Sequence, residues 1–141
     1  LLVGGWNMPP FLPEAPLASP GVTRSPEWGL ECRVREVPAR VQPRPSREAL
    51  FDSSAVDGPL SIRAWMPGDK FHPLGGPGTK KLQDFFVDAG VARRHRGTVP
   101  ILQVGTQIAW VVGHRIDDRF KLTEASPAAL EVRIRPMSGR V

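Results

Sequence analysis

Residues 79–113 read TKKLQDFFVDAGVARRHRGTVPILQVGTQIAWVVG, a helical segment followed by two apolar runs around Gly105. Leu82, Phe85, Phe86 and Ala89 recur at helical spacing, with Thr79 in the N-cap position and Gly90 as the stop. This face is predicted to be buried, leaving Lys81, Asp84 and Asp88 in water. The runs on either side of Gly105 predict a β-hairpin, and HRIDDRFKL continues it. A helix that leads into two consecutive strands breaks the alternating β and α order that a parallel sheet requires. The segment therefore points to an antiparallel α+β domain.

The flanking sequence agrees with that reading. LECRVREV alternates apolar Leu30, Cys32 and Val34 with polar Glu31, Arg33 and Arg35, the period of two of a half-buried strand. Val22 to Trp28 is its hairpin partner, kept short by Pro26. PLSIRAW places Leu60, Ile62 and Ala64 on one face and Ser61, Arg63 and Trp65 on the other, and AALEVRIR turns Leu130, Val132 and Ile134 inward. The sum is six or seven short strands with one main helix, a β-rich antiparallel sandwich-like domain without internal repeats. Residues 38–47, PARVQPRPSR, read as a surface loop. The first twenty residues carry five prolines and no apolar period, so residues 1–15 read as a connector from an upstream region, with Trp6 and Phe11 docking locally, and 16–141 as the domain.

A chain of 141 residues suits one domain with a sizeable core. Its 16 prolines and 14 glycines favour short elements over a long helical bundle. Nineteen lysines and arginines against 14 acids give a net charge of +5 and a pI near 10.3, a balance that suits a polyanionic partner. A single cysteine, Cys32, excludes an internal disulfide and fits a reducing compartment. No apolar run approaches the ~20 residues that span a bilayer. The opening LLVGGWNMPPFLP has no charged lead and is broken by glycine and proline, so no signal peptide is expected; starting at Leu1, the chain reads as a piece of something longer.

Catalytic constellations are not apparent. His72, His95 and His114 lack metal-ligand spacing, and Cys32 alternates inward on its strand as a small hydrophobe. GGPGTKK has glycines and lysines in the wrong order for a Walker A phosphate loop. Asp117 and Asp118, if in a strand, would point to opposite faces, and a turn is the more economical reading. A weaker feature survives: a glycine-rich approach to a helix N-terminus bearing Lys80 and Lys81 forms a phosphate-binding corner. The competing reading pairs Lys80 with Asp84 one turn on. Arg93, Arg94 and Arg96 follow the same helix and would continue a basic strip with Arg63 and Lys70, suited to tracking a nucleic-acid backbone.

From Phe51 to Thr123 the motifs PLSIR, MPGDKFHPLG, KKLQDFFVD, PIL, IAWVVGHRI and RFKLT, in this order, resemble the C-terminal domain of bacterial tRNA(Ile)-lysidine synthetase. PLASPGVTRSPEWGLECR is similar to the strand pair that opens that domain. Met66 and Ala92 depart from the family's frequent arginine and proline. The resemblance implies a cytoplasmic parent ligase that uses ATP and Mg to join lysine to the wobble cytidine of a minor isoleucine tRNA. Its adenylation loop, Ser-Gly-Gly-x-Asp-Ser, belongs to an N-terminal catalytic domain and does not occur here, so this segment is expected to carry no catalytic residue and no metal, and to be inactive alone. The family's C-terminal domain resembles a sandwich-like α+β unit of the phenylalanyl-tRNA synthetase β subunit and holds the tRNA body near the acceptor stem. On that footing Lys80, Lys81, Arg93, Arg94 and Arg96 form the expected core of the tRNA contact, with Lys70, Arg63 and Arg115 outside it. The alternative is a structural module that packs on the catalytic domain or a second subunit through Phe71, Trp65 and Trp110; a homodimeric parent stays open.

Overall fold

Short alternating runs cut by glycine and proline form short strands, and these pair antiparallel throughout. The computed structural model describes residues 12–39 and 47–137, with the backbone of two short strands at 2–3 and 6–7. The strands are β1 (Leu2–Val3), β2 (Trp6–Asn7), β3 (Ala15–Leu17), β4 (Gly21–Ser25), β5 (Leu30–Val37), β6 (Glu48–Asp52), β7 (Leu60–Arg63), β8 (Lys70–Phe71) and β9 (Lys80–Lys81). After helix α1 (Leu82–Asp88) come β10 (Ile101–Val104), β11 (Gln107–Val111), β12 (Arg115–Ile116) and β13 (Ala129–Pro136). Docking by Trp6 and Phe11, and most of the loop expected at 38–47, lie outside the described residues. Pro13 and Glu14, assigned above to the connector, touch the domain: the Pro13 carbonyl accepts from Trp28 Nε1 at 2.8 Å and Glu14 from Ser61 Oγ at 2.8 Å.

Two sheets face each other. One runs β12-β11-β10-β7-β3 and the other β4-β5-β13-β6. Between them Cys32, Val34, Leu60, Ile62, Val132 and Ile134 are buried, as their alternation predicts, together with Phe51, Leu102 and Trp110. Each large side chain in such a core contributes roughly 1.5–3 kcal/mol by leaving water. The hairpin around Gly105 is present, with Gly105 at φ 59° in the turn.

β11 does not keep the simple alternation. Leu102 pairs with Trp110 and Gln103 with Ile108, so Ala109 is an extra residue, a β-bulge. The bulge puts Ala109 and Trp110 together in the sandwich core and sends Ile108 and Val111 to the opposite face. On that face they meet α1 through Leu82, Phe85 and Phe86, beside Phe71 and Ile101. The five-stranded sheet is thus covered on both sides.

The helix begins later than the sequence suggested. Lys80 and Lys81 are extended, paired with β8, and Leu82 N donates to the Asp69 carbonyl at 2.8 Å, so Thr79 is not its cap. Its end matches the expectation: Gly90, at φ 74°, donates to Val87 and Val91 N donates to Phe86, the paired bonds of a Schellman stop. Ala89 falls at the C-cap and is exposed rather than part of the buried stripe.

Candidate nucleic-acid interface

Met66 to Asp69 fold as a turn in which Asp69 N donates to Met66 O at 3.1 Å and Met66 N to Asp69 Oδ2 at 2.7 Å. The turn brings the Asp69 carboxylate under the Arg63 guanidinium, which donates to both oxygens at 2.9 and 3.1 Å, while Arg63 Nε donates to Gln103 Oε1 at 2.6 Å. Arg63 is only 9% exposed. A buried guanidinium needs such a full set of partners. Arg63 is therefore an internal strut beneath the loop, and its assignment to the exposed strip is corrected.

Past this turn β8 and β9 make a ribbon in which Phe71 stands opposite Lys80 and Lys70 opposite Lys81. Opposed residues share a face, and successive ones alternate. Phe71 points inward and meets the Phe85 ring edge-on at 5.1 Å. Lys80, on the same face, is half-buried and pairs with Asp88, not with Asp84. Lys70 and Lys81 take the solvent face. Both are exposed, and among the described residues neither has an ion-pair partner. The free amides expected at the helix N-terminus are not the anion site, because the first is bonded to Asp69 and the helix has only seven residues.

Beyond the helix, Arg93 to Thr98 form a 3-10 turn. Arg93 and Arg94 are exposed. Arg96 turns in, 7% exposed, with Nε donating to the Val91 carbonyl at 3.2 Å and its guanidinium 5.7 Å from the Phe86 ring centre. It anchors the segment, which corrects its placement in the contact core.

Arg115 lies over the other aromatic of α1, 5.8 Å from the Phe85 ring centre, and His114 meets that ring edge-on at 6.2 Å. Burial of the packed side of His114 lowers its pKa below the ordinary histidine value. Arg115 and His114, Lys80 and Asp88, and the glycine-rich loop at 76–79 surround an open cleft of about 540 Å³. The structure thus groups Lys70 with Lys81, Lys80 with Arg115, and Arg93 with Arg94.

Asp117 had no functional reading in the sequence. It is fully buried and accepts from His72 N at 2.8 Å and from Arg119 N, Nε and Nη2 at 2.8, 3.0 and 2.9 Å. It caps the short 3-10 turn Asp118–Phe120, in keeping with the turn reading, and ties the loop after β8 to the five-stranded sheet. His72 Nε2 in turn reaches Thr79 Oγ1 at 2.6 Å, closing the glycine-rich loop. The local signal was the Asp-x-Arg spacing with an aspartate in capping position, visible only once the turn is known.

The apolar contact patch expected from Phe71, Trp65 and Trp110 is also corrected. Phe71 and Trp110 are buried, and Trp65 packs edge-on against Phe86 at 5.8 Å. Cys32 is 1% exposed, and burial pushes its thiol up to about 11. Among the described residues no three His, Cys, Asp or Glu side chains gather as metal ligands do, and no helix is long and apolar enough to cross a membrane.

Residues 60–135, more than half of the chain, match the family described as the TilS substrate C-terminal domain. The chain belongs to this family. Among its relatives, the tRNA(Ile)-lysidine synthase of Symbiobacterium thermophilum is 38% identical over 122 residues, 85% of this chain and 25% of the relative. The enzyme of the same name from Geobacter sulfurreducens is 41% identical over 88 residues, 62% of this chain and 19% of the relative. The chain therefore spans a quarter or less of the length of these relatives. A crystal structure of a TILS C-terminal domain superposes with a TM-score of 0.72 at 23% identity, covering 88% of this chain and 96% of that one. The antiparallel α+β fold with one main helix is thus the fold of the TilS C-terminal domain.

Proposed function

We propose that this TilS C-terminal domain serves a tRNA(Ile)-lysidine synthase as its tRNA-holding unit, gripping the phosphate backbone of the minor isoleucine tRNA near the acceptor stem. The observation that carries the reading is the cross-strand pairing of Lys70 and Lys81 on one solvent face, neither held in an ion pair among the described residues. Like charges directly opposite in a ribbon are destabilising. An external polyanion relieves that repulsion and gains two phosphate contacts. In this reading Arg93 and Arg94, exposed in the 3-10 turn that follows the helix, add further phosphate contacts. Arg115 and Lys80 border the cleft.

The role supplies orientation rather than chemistry: a tRNA body held in one place brings a distant anticodon to an active site in another domain. ATP and Mg act there. The glycine-rich loop here is closed by His72 and Thr79 and lacks the order of a nucleotide-binding loop.

The test is tRNA binding by the full-length enzyme carrying Lys70→Ala and Lys81→Ala, followed by filter binding across a salt series. Affinity is expected to fall, and the slope of log K against log salt to flatten by about 1 for each phosphate no longer neutralised. An unchanged slope removes the ribbon from the interface.

A further inference from the structure

We propose that the cleft between the glycine-rich loop, α1 and the 113–115 turn receives one unpaired RNA nucleotide, base inward, the base being one with an exocyclic amine. The inference rests on the tRNA-holding role above and assigns a separate task to a separate part of the surface. The cleft encloses about 540 Å³, within the range that takes a small organic ligand. Its floor is a layered platform, the Arg115 guanidinium over the Phe85 ring, and RNA-binding proteins stack splayed bases on arginine planes and aromatic rings.

The charges of the wall argue for a base and against a phosphate. Lys80 and Asp88 meet there as an ion pair, and the Asp88 side chain is 63% exposed. A carboxylate repels a phosphodiester, but accepts hydrogen bonds from the amine of adenine, cytosine or guanine. The neighbouring ammonium donates to the ring nitrogen or carbonyl beside that amine. The purely cationic face lies elsewhere, at Lys70 and Lys81. Phosphates are held outside by the ribbon, and the base edge is read inside by the ion pair. Uracil offers no amine to Asp88 and is the poorest ligand.

Amide spectra of the 15N-labelled 141-residue chain, titrated with AMP, CMP, UMP, inorganic phosphate and a blunt RNA duplex, separate these roles. AMP and CMP are expected to shift the Gly78, Ala89 and His114 amides saturably, UMP more weakly and phosphate alone not at all. Asp88→Asn, a change at an exposed side chain, is expected to weaken AMP about tenfold, the loss of one charge-assisted hydrogen bond. Cleft amides that stay still under AMP and CMP, or that phosphate alone moves as far, overturn the proposal. The duplex reads the ribbon independently through the Lys70 and Lys81 amides. A responding ribbon with a silent cleft removes only the nucleotide pocket, whereas a responding cleft with a silent ribbon removes only the backbone grip.

Discussion

Lys70 and Lys81 stand directly opposite each other in the β8-β9 ribbon and share its solvent face without a carboxylate partner among the described residues. Stability and binding are therefore set against each other at this pair. Lys81→Glu turns the like pair into an opposite one and is expected to raise stability by about 0.2–1 kcal/mol. The same change places a negative charge in the phosphate path, so tRNA affinity of the full-length enzyme falls. Thermal melts and filter binding on one preparation check both signs; a variant that loses stability and keeps affinity contradicts the assignment.

Asp117 is predicted to hold the loop after β8 in place. Asp117→Ala leaves the His72 and Arg119 amides without their acceptor and costs about 1–3 kcal/mol, while the Arg119 guanidinium, 39% exposed, turns to water. Urea unfolding measures the loss. Asp117→Asn keeps an acceptor oxygen and is expected to lose less.

Leu82 is wholly buried beneath the sheet's outer face. Leu82→Ala is expected to cost about 2–5 kcal/mol, through the transfer energy forgone and the cavity left behind. Lys81→Ala, one residue earlier, serves as the exposed control and shifts the urea midpoint little.

His114 confers a pH dependence whose sign follows from its lowered pKa. The unfolded imidazole, with a pKa near 6.5, binds a proton before the folded one does. Stability from this group is complete above the unfolded value and declines as pH falls through it toward the folded value. Melting temperatures of wild type and His114→Ala, compared between pH 7.5 and 5, should show the smaller decline in the variant. Equal declines would mean that the ring's contact with Phe85 has no bearing on its titration.

Cys32 is predicted to be inert toward thiol reagents in the folded protein, since it is sealed in the sandwich core with its thiol pushed up to about 11. Its modification by a disulfide reagent at pH 8 should track global unfolding and accelerate in urea. Rapid labelling in native buffer would show that the two sheets part locally.

The strands were legible because their side chains obey a two-residue period: Cys32, Val34, Val132 and Ile134 face inward as their alternation requires. The hairpin was marked by Gly105, and the helix stop by Gly90, positions where a left-handed backbone favours glycine. Leu82, Phe85 and Phe86 showed the helix and its buried face. Antiparallel α+β class followed from the order of these elements alone.

The site was legible only as an excess of charge. Whether an arginine is a contact or a strut depends on what a distant segment brings to it. Asp69 draws Arg63 inward across a turn, and Val91 and Phe86 draw in Arg96, whereas Arg93 and Arg94 find no such partner among the described residues. Thr79 has a capping side chain, yet Lys80 and Lys81 are extended because pairing with β8 gives their backbone its hydrogen bonds and the Asp69 carbonyl takes the amide of Leu82. The bulge at Ala109 and the burial of Asp117 likewise arise from contacts between strands rather than from any local period. Sequence by itself determined which side chains prefer the interior and where the chain turns. Tertiary structure alone decided which charges remain free, because a charge is neutralised by partners whose spacing in the chain carries no periodic signal.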